Sequence, residues 1–135
     1  MKVAIVLKPF IKALTVGLVA LCWPLVAHAG GDAGKGERAF KKCYSCHNVD
    51  HPRTRMGPHL MGVVGRKIGA VEDYKYSAAL QEANANGDIW TQEKLAAFIA
   101  SPSKTLPGNA MRFFGLWSEA EIADIIAYLK TKPLE

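Results

Sequence analysis

Residues Cys43-Tyr44-Ser45-Cys46-His47 set two thiols three positions apart, with an imidazole directly after the second. Residues three apart share one face of a helical turn, so both sulfurs can reach one object. C-x-x-C-H is the attachment sequence of a c-type haem. Two thioether bonds would tie the vinyl groups along one porphyrin edge, and the histidine beneath the ring would be an axial ligand to iron. Three other chemistries use the same residue types. A thioredoxin-type dithiol needs a preceding strand in a βαβ unit, but the residues before Cys43 read as helix. A zinc site could enlist Cys43, Cys46, His47 and His51. Finger-like zinc sites, however, put about a dozen residues between the cysteine pair and the first histidine, and none intervenes here. A structural disulfide inside the motif is the third alternative.

Something must carry the motif. Asp32 to Lys42 reads as a first helix, with Asp32 as candidate cap and Ala33, Gly36, Ala39 and Phe40 near helical spacing. Asn48 to Tyr76 is rich in Gly, Pro and basic residues without periodicity, a pattern that suits a compact domain only if the loop wraps something such as a haem edge. Ser77 to Asn84 and Thr91 to Ala100 are short helices, the second opened by Thr91 with Glu93 in its first turn and closed before Pro102. Ser118 to Thr131 is the clearest helix. Ser118 and Glu121 form a capping box, and Ile122, Ile125, Ile126 and Leu129 make one apolar stripe. That stripe needs a partner, and the first helix with Phe40 is the natural one. No long strand pattern appears.

Residues 1–29 read as a secretory signal: Lys2, Lys8 and Lys12 supply the positive region, Ala13 to Val26 the apolar stretch, and Ala27-His28-Ala29 the cleavage site. A retained membrane anchor is the alternative, although the stretch is shorter than the roughly 20 apolar residues a span requires. Cleavage before Gly30 leaves 106 of the 135 residues, with 14 basic and 12 acidic side chains, so the net charge falls from +5 to +2. The basic residues are interleaved with acids, which argues against nucleic-acid binding. Cys22 departs with the signal, leaving the motif cysteines and no disulfide framework. Residues 30–135 make one small domain whose marginal core a buried haem would support.

Iron with one histidine needs a second axial ligand or an open site. The candidates are Met56, Met61, Met111, His51 and His59. Met111 follows Leu106-Pro107-Gly108-Asn109-Ala110, a turn able to present a thioether, and is the expected ligand. The other methionines and His59 crowd the loop just after His47, where filling core gaps is the commoner role.

Over residues 31 to 132 the chain resembles the class I cytochromes c, close to the mitochondrial and alphaproteobacterial branch. The resemblance rests on Gly31-Asp32 through Gly36 and Phe40, Cys43 to His47, Gly57-Pro58-His59-Leu60, Gly65-Arg66-Lys67, Tyr76, Trp90, Pro107-Gly108 to Met111, Phe113 and Tyr128-Leu129, all in the family's order. It implies an all-α cytochrome c fold, with N- and C-terminal helices packed together around one covalent haem and joined by short helices and long loops. It also implies that the Pro58 carbonyl accepts a hydrogen bond from His47, that Tyr76 and Trp90 hold a haem propionate, that Arg66 balances propionate charge and that Phe113 shields the haem face. Two departures stand out. Phe40-Lys41-Lys42-Cys43 looks one residue shorter than the mitochondrial version, and Asn109-Ala110 stands where mitochondrial relatives usually carry a lysine.

His/Met ligation raises the reduction potential and leaves no coordination site for a substrate. The expected function is therefore one-electron transfer, not catalysis, by a monomer in the periplasm. It would shuttle between a quinol-oxidising complex and a terminal oxidase, photosynthetic centre or dehydrogenase. Redox partners would dock transiently at the haem edge, rimmed by Lys41, Lys42, Lys67, Lys104 and Arg112. Two alternatives are a peroxidase or gas-binding protein with a labile sixth ligand, and a bound electron-entry subunit of a dehydrogenase.

Overall fold

The computed structural model describes residues 30–134, so the export signal expected over residues 1–29 lies outside the described residues. Five helices follow in order: α1 (Ala33–Phe40), α2 (Ala78–Ala85), α3 (Gln92–Ala100), α4 (Pro102–Thr105) and α5 (Glu119–Lys130). Among the described residues there is no sheet, only an isolated antiparallel bridge between Lys67 and Ile89. The expected all-α fold is the observed one.

Capping explains where the helices begin. Asp32 accepts from Lys35 N at 2.8 Å, Thr91 from Lys94 N at 3.1 Å and Ser118 from Glu121 N at 3.2 Å, each satisfying an amide with no partner inside its helix. Only half of the expected capping box forms, because the Glu121 carboxylate pairs with Lys42 Nζ at 2.5 Å. That ion pair ties the start of α5 to the approach of the cysteine motif. The first helix stops at Phe40, two residues earlier than expected. There the bonding tightens to i−3 contacts: Lys42 N to Ala39 O at 3.3 Å, then Cys43 N to Phe40 O at 2.7 Å. Pro102 does not simply end a helix. It opens α4, where its fixed φ and missing N–H suit the first position.

The terminal helices cross at close range because α1 carries glycine where α5 passes. A Cβ on Gly36 would lie 1.9 Å from Asp124 O and 2.8 Å from Tyr128 Cβ, so no larger residue permits this approach. Asp32 N donates to an Asp124 carboxylate oxygen at 2.6 Å and secures the crossing. Beneath it the Phe40 ring meets Tyr44 and Tyr128 at centroid distances of 5.0 and 5.5 Å. The α5 stripe of Ile122, Ile125, Ile126 and Leu129 is buried, as its spacing predicts. Full burial of each such side chain contributes about 1.5–3 kcal/mol. The segment from 48 to 76 has no helix. It folds over the rest through turns, with Gly57 N donating to Cys46 O at 2.9 Å and Leu60 N to Asn48 O at 2.7 Å.

Candidate functional site

The turn after α1 closes on itself, with Cys46 N and His47 N both donating to Cys43 O at 3.1 and 3.0 Å. Both thiols are free and half-buried, and both border an interior cavity of about 500 Å³. That volume lies in the range that encloses a sizeable organic ligand, on the order of 300–1,000 Å³. Burial pushes the Cys43 thiol up to about 11, although Lys42 nearby acts the other way. A thiol so held is protonated at neutral pH, unlike the low-pKa nucleophile of a dithiol oxidoreductase. Among the described residues no cluster of three or more His, Cys, Asp and Glu side chains is arranged to hold a metal ion.

His47 is buried and also lines the cavity. Its Nδ1 lies 2.8 Å from Pro58 O. A carbonyl can only accept, so Nδ1 carries the proton and Nε2 keeps a free lone pair. Burial lowers the His47 pKa, against the opposing effect of the Pro58 hydrogen bond, and this favours the neutral imidazole that ligates metals. Gly57 presses against the same ring. A Cβ there would stand 2.3 Å from His47 Cε1, so the 57–58 backbone is moulded to the imidazole.

Of the five candidate sixth ligands, only Met56 and Met111 line the cavity. Met56 is 72% exposed, whereas Met111 is half-buried and packs against the hydrophobic core. Met61 and His59 are buried away from the cavity wall, and His51 is exposed. His59 instead faces Arg66, whose Nη1 lies 3.5 Å from its Nδ1.

Tyr76, Trp90, Arg66 and Phe113 all border the cavity too. Arg66 donates through Nη1 to Met61 O at 2.8 Å and through Nη2 to His59 O at 2.9 Å. Its Nε is buried without a partner, and so is the Ser77 hydroxyl. Two buried polar atoms of cavity-lining residues, each costly to leave unpaired, call for a hydrogen-bonding occupant. The lining holds Lys42, Arg66 and Arg112 but no carboxylate, so an occupant bearing acidic groups fits. An apolar macrocycle with acid substituents, tethered by two thioethers, matches the thiols, the apolar lining and the unpaired donors together.

Sequence reasoning missed Ser77 as a site residue and gave it only the start of a helix. It does cap α2 by position, but its side chain makes no cap bond. Its place directly after Tyr76 was the available signal. Of the expected basic rim, Lys42 and Arg112 border the cavity while Lys41, Lys67 and Lys104 are exposed elsewhere. The Lys42 charge is moreover taken up by Glu121.

Fold and site together define a small helical protein built around a single covalently attached haem, with the motif cysteines, His47, Met111 and Arg66 all lining one cavity. The chain belongs to the cytochrome c family: the model of that family, described as "Cytochrome c", matches residues 33–133. It is 39% identical over 110 residues to a cytochrome c2 of Agrobacterium tumefaciens (strain II Chrys), an alignment spanning 78% of this chain and 99% of that protein. It is 45% identical over 98 residues to cytochrome c-550 of Ancylobacter novellus, covering 72% and 92% of the two chains. The solved structure of cytochrome cH from Methylobacterium extorquens superposes with a TM-score of 0.69 at 44% identity, covering 76% of this chain and all of that one. The chain accordingly carries one covalent c-type haem through the Cys43/Cys46 pair and is an electron carrier of the cytochrome c2 type, not an enzyme. Transient contact with redox partners follows from that role. No helix among the described residues is long and apolar enough to cross a membrane.

Proposed function

We propose that His47 and Met111 are the axial ligands of the haem iron and that the protein is a high-potential periplasmic shuttle. It would carry single electrons from a quinol-oxidising complex to a terminal oxidase, photosynthetic centre or dehydrogenase. The observation that carries the ligand assignment is the His47 Nδ1 to Pro58 O bond of 2.8 Å, which leaves Nε2 as the free lone pair on a ring sharing a cavity with Cys43, Cys46 and Met111. Met111 is half-buried there, whereas Met56 is largely in solvent. When bound, the haem supplies the one-electron couple.

The chain's own residues set the conditions for that couple. Pro58 holds the imidazole in one tautomer and raises its basicity. Arg66 Nε, Ser77 Oγ, Tyr76 and Trp90 would hold the propionates, and the apolar remainder of the lining, with Leu95, Phe98 and Phe113, would exclude water. Excluding water favours the less charged, reduced iron and so pushes the potential up. Export rests on the signal-like pattern of residues 1–29, and residues 30–135 form the mature domain. Optical spectra of the oxidised and reduced protein test the assignment. The parent is expected to be low-spin with a methionine-to-iron charge-transfer band that vanishes in Met111→Ala. A high-spin parent, or a mutant with the band intact, would overturn it.

A further inference from the structure

The segment from Leu106 to Met111 belongs to no helix after α4 ends, yet it delivers the thioether to the cavity. Gly108, at φ +83°, supplies the reversal. Backbone bonding there is sparse, with Asn109 N donating to Leu106 O at 3.1 Å. The Asn109 side chain does the rest. Its Nδ2 donates to Pro102 O at 2.9 Å and to Leu106 O at 2.8 Å, while its Oδ1 accepts from Met111 N at 2.9 Å. All three bonds use complementary halves of one amide: both N–H groups face carbonyls and the oxygen faces an N–H.

The far end of this clamp is itself secured. Pro102 is buried, and the Thr105 hydroxyl bridges Ala97 O at 2.8 Å and Ser101 O at 3.0 Å, locking α4 to the end of α3. An unbroken run of contacts thus connects α3, α4, Asn109 and the Met111 amide. Aspartate would retain the acceptor and lose both donors, and alanine would lose all three bonds.

We propose that Asn109 is the positioning residue for the sixth ligand, setting how often Met111 swings away from the iron. The proposal rests on the reading of Met111 as that ligand. A thioether leaving the iron must take its backbone along or strain it, so the bonds that hold Met111 N oppose the open state. An added ligand such as imidazole binds ferric iron only in the open state, and its apparent affinity therefore rises in proportion to the open population. Two or three lost hydrogen bonds correspond to a gain of at least about fivefold.

The test is imidazole titration of the ferric holoprotein in the parent, Asn109→Ala, Asn109→Asp and Met111→Ala, with the charge-transfer band and the thermal midpoint recorded for each. Met111→Ala sets the fully open limit. Both Asn109 variants are expected to bind imidazole at least about fivefold more tightly than the parent and to stay below that limit. If the alanine variant does not accumulate as holoprotein, the near-isosteric aspartate carries the same comparison. Variants that melt earlier but bind imidazole like the parent would overturn the proposal, since a merely structural role lowers the midpoint and leaves the open fraction alone. A parent with no methionine band would instead overturn the ligand reading beneath it, so the two failures are distinguishable.

Discussion

Gly57→Ala isolates the packing of the His47 ring. Gly57 is not among the glycines with positive φ, so alanine suits its backbone and the clash alone decides the outcome. The added Cβ would stand 2.3 Å from His47 Cε1 and 2.7 Å from Nδ1. Carbon atoms pack at about 3.5–4.0 Å, so the ring and the 57–58 backbone must part by roughly 1.2 Å or more. The His47 to Pro58 bond starts at 2.8 Å, and a shift of that size carries it beyond hydrogen-bond reach. Overpacking costs about 1–3 kcal/mol and the lost bond about 0.5–1.5 kcal/mol, for a total of about 2–4 kcal/mol. In a domain of this size that lowers the melting temperature by about 10–30 °C. Losing the Pro58 bond also makes the imidazole less basic and favours Fe(II), so the reduction potential rises. Circular-dichroism melts and redox titration of the purified holoprotein measure both effects. A variant that melts within about 2 °C of the parent at an unchanged potential would refute the argument that the 57–58 backbone holds the ring.

Ser77→Ala gives a prediction in which sign alone decides. Removing a buried hydroxyl with no partner stabilises a protein, whereas removing one bonded to a haem propionate destabilises it by about 1 kcal/mol. Chemical denaturation of the holoprotein is expected to show destabilisation, and a more stable variant would remove Ser77 from the propionate site. His59 governs a pH effect. Burial, then the Arg66 charge, lowers its pKa from 6.5 against the pull of Asp73. Stability owed to neutral His59 is complete above pH 6.5 and drains away as pH falls through the folded-state pKa, because the unfolded chain takes up a proton the folded one refuses. His59→Gln is expected to flatten the acid limb of a melting-temperature profile below pH 6.5, and an unaltered limb would exclude His59 as its source.

What could be read in the chain was local. The haem attachment turn, the Asp32, Thr91 and Ser118 caps, and the α5 stripe are each written within a few consecutive residues, because bonds of three or four positions determine them. The α1–α5 pairing was also legible, since an amphipathic helix in a small domain has few places to bury its face. The pattern was less decisive wherever one residue had two options at similar cost. Pro102 reads equally as a stop or as a first helical position, and only its packing against α3 selects the start of α4. Glu121 was free to complete its capping box, and the fold brought Lys42 within 2.5 Å instead.

Tertiary structure decided which side chains reach the haem cavity and which methionine is partly sheltered in its wall. Met56, Met61 and Met111 are chemically the same residue, and the chain's path alone leaves the first in solvent, puts the second in the core and sets the third in the wall. Ser77 and Asn109 acquired their places in the same way, one with its hydroxyl left unpaired on the wall and the other with its amide spent on three backbone groups. Covalent cofactor chemistry needs a handful of neighbouring residues and is therefore legible in one dimension. The cavity lining, the unpaired polar atoms on it and the anchoring of the Met111 loop need groups brought together from distant positions, and packing alone places those.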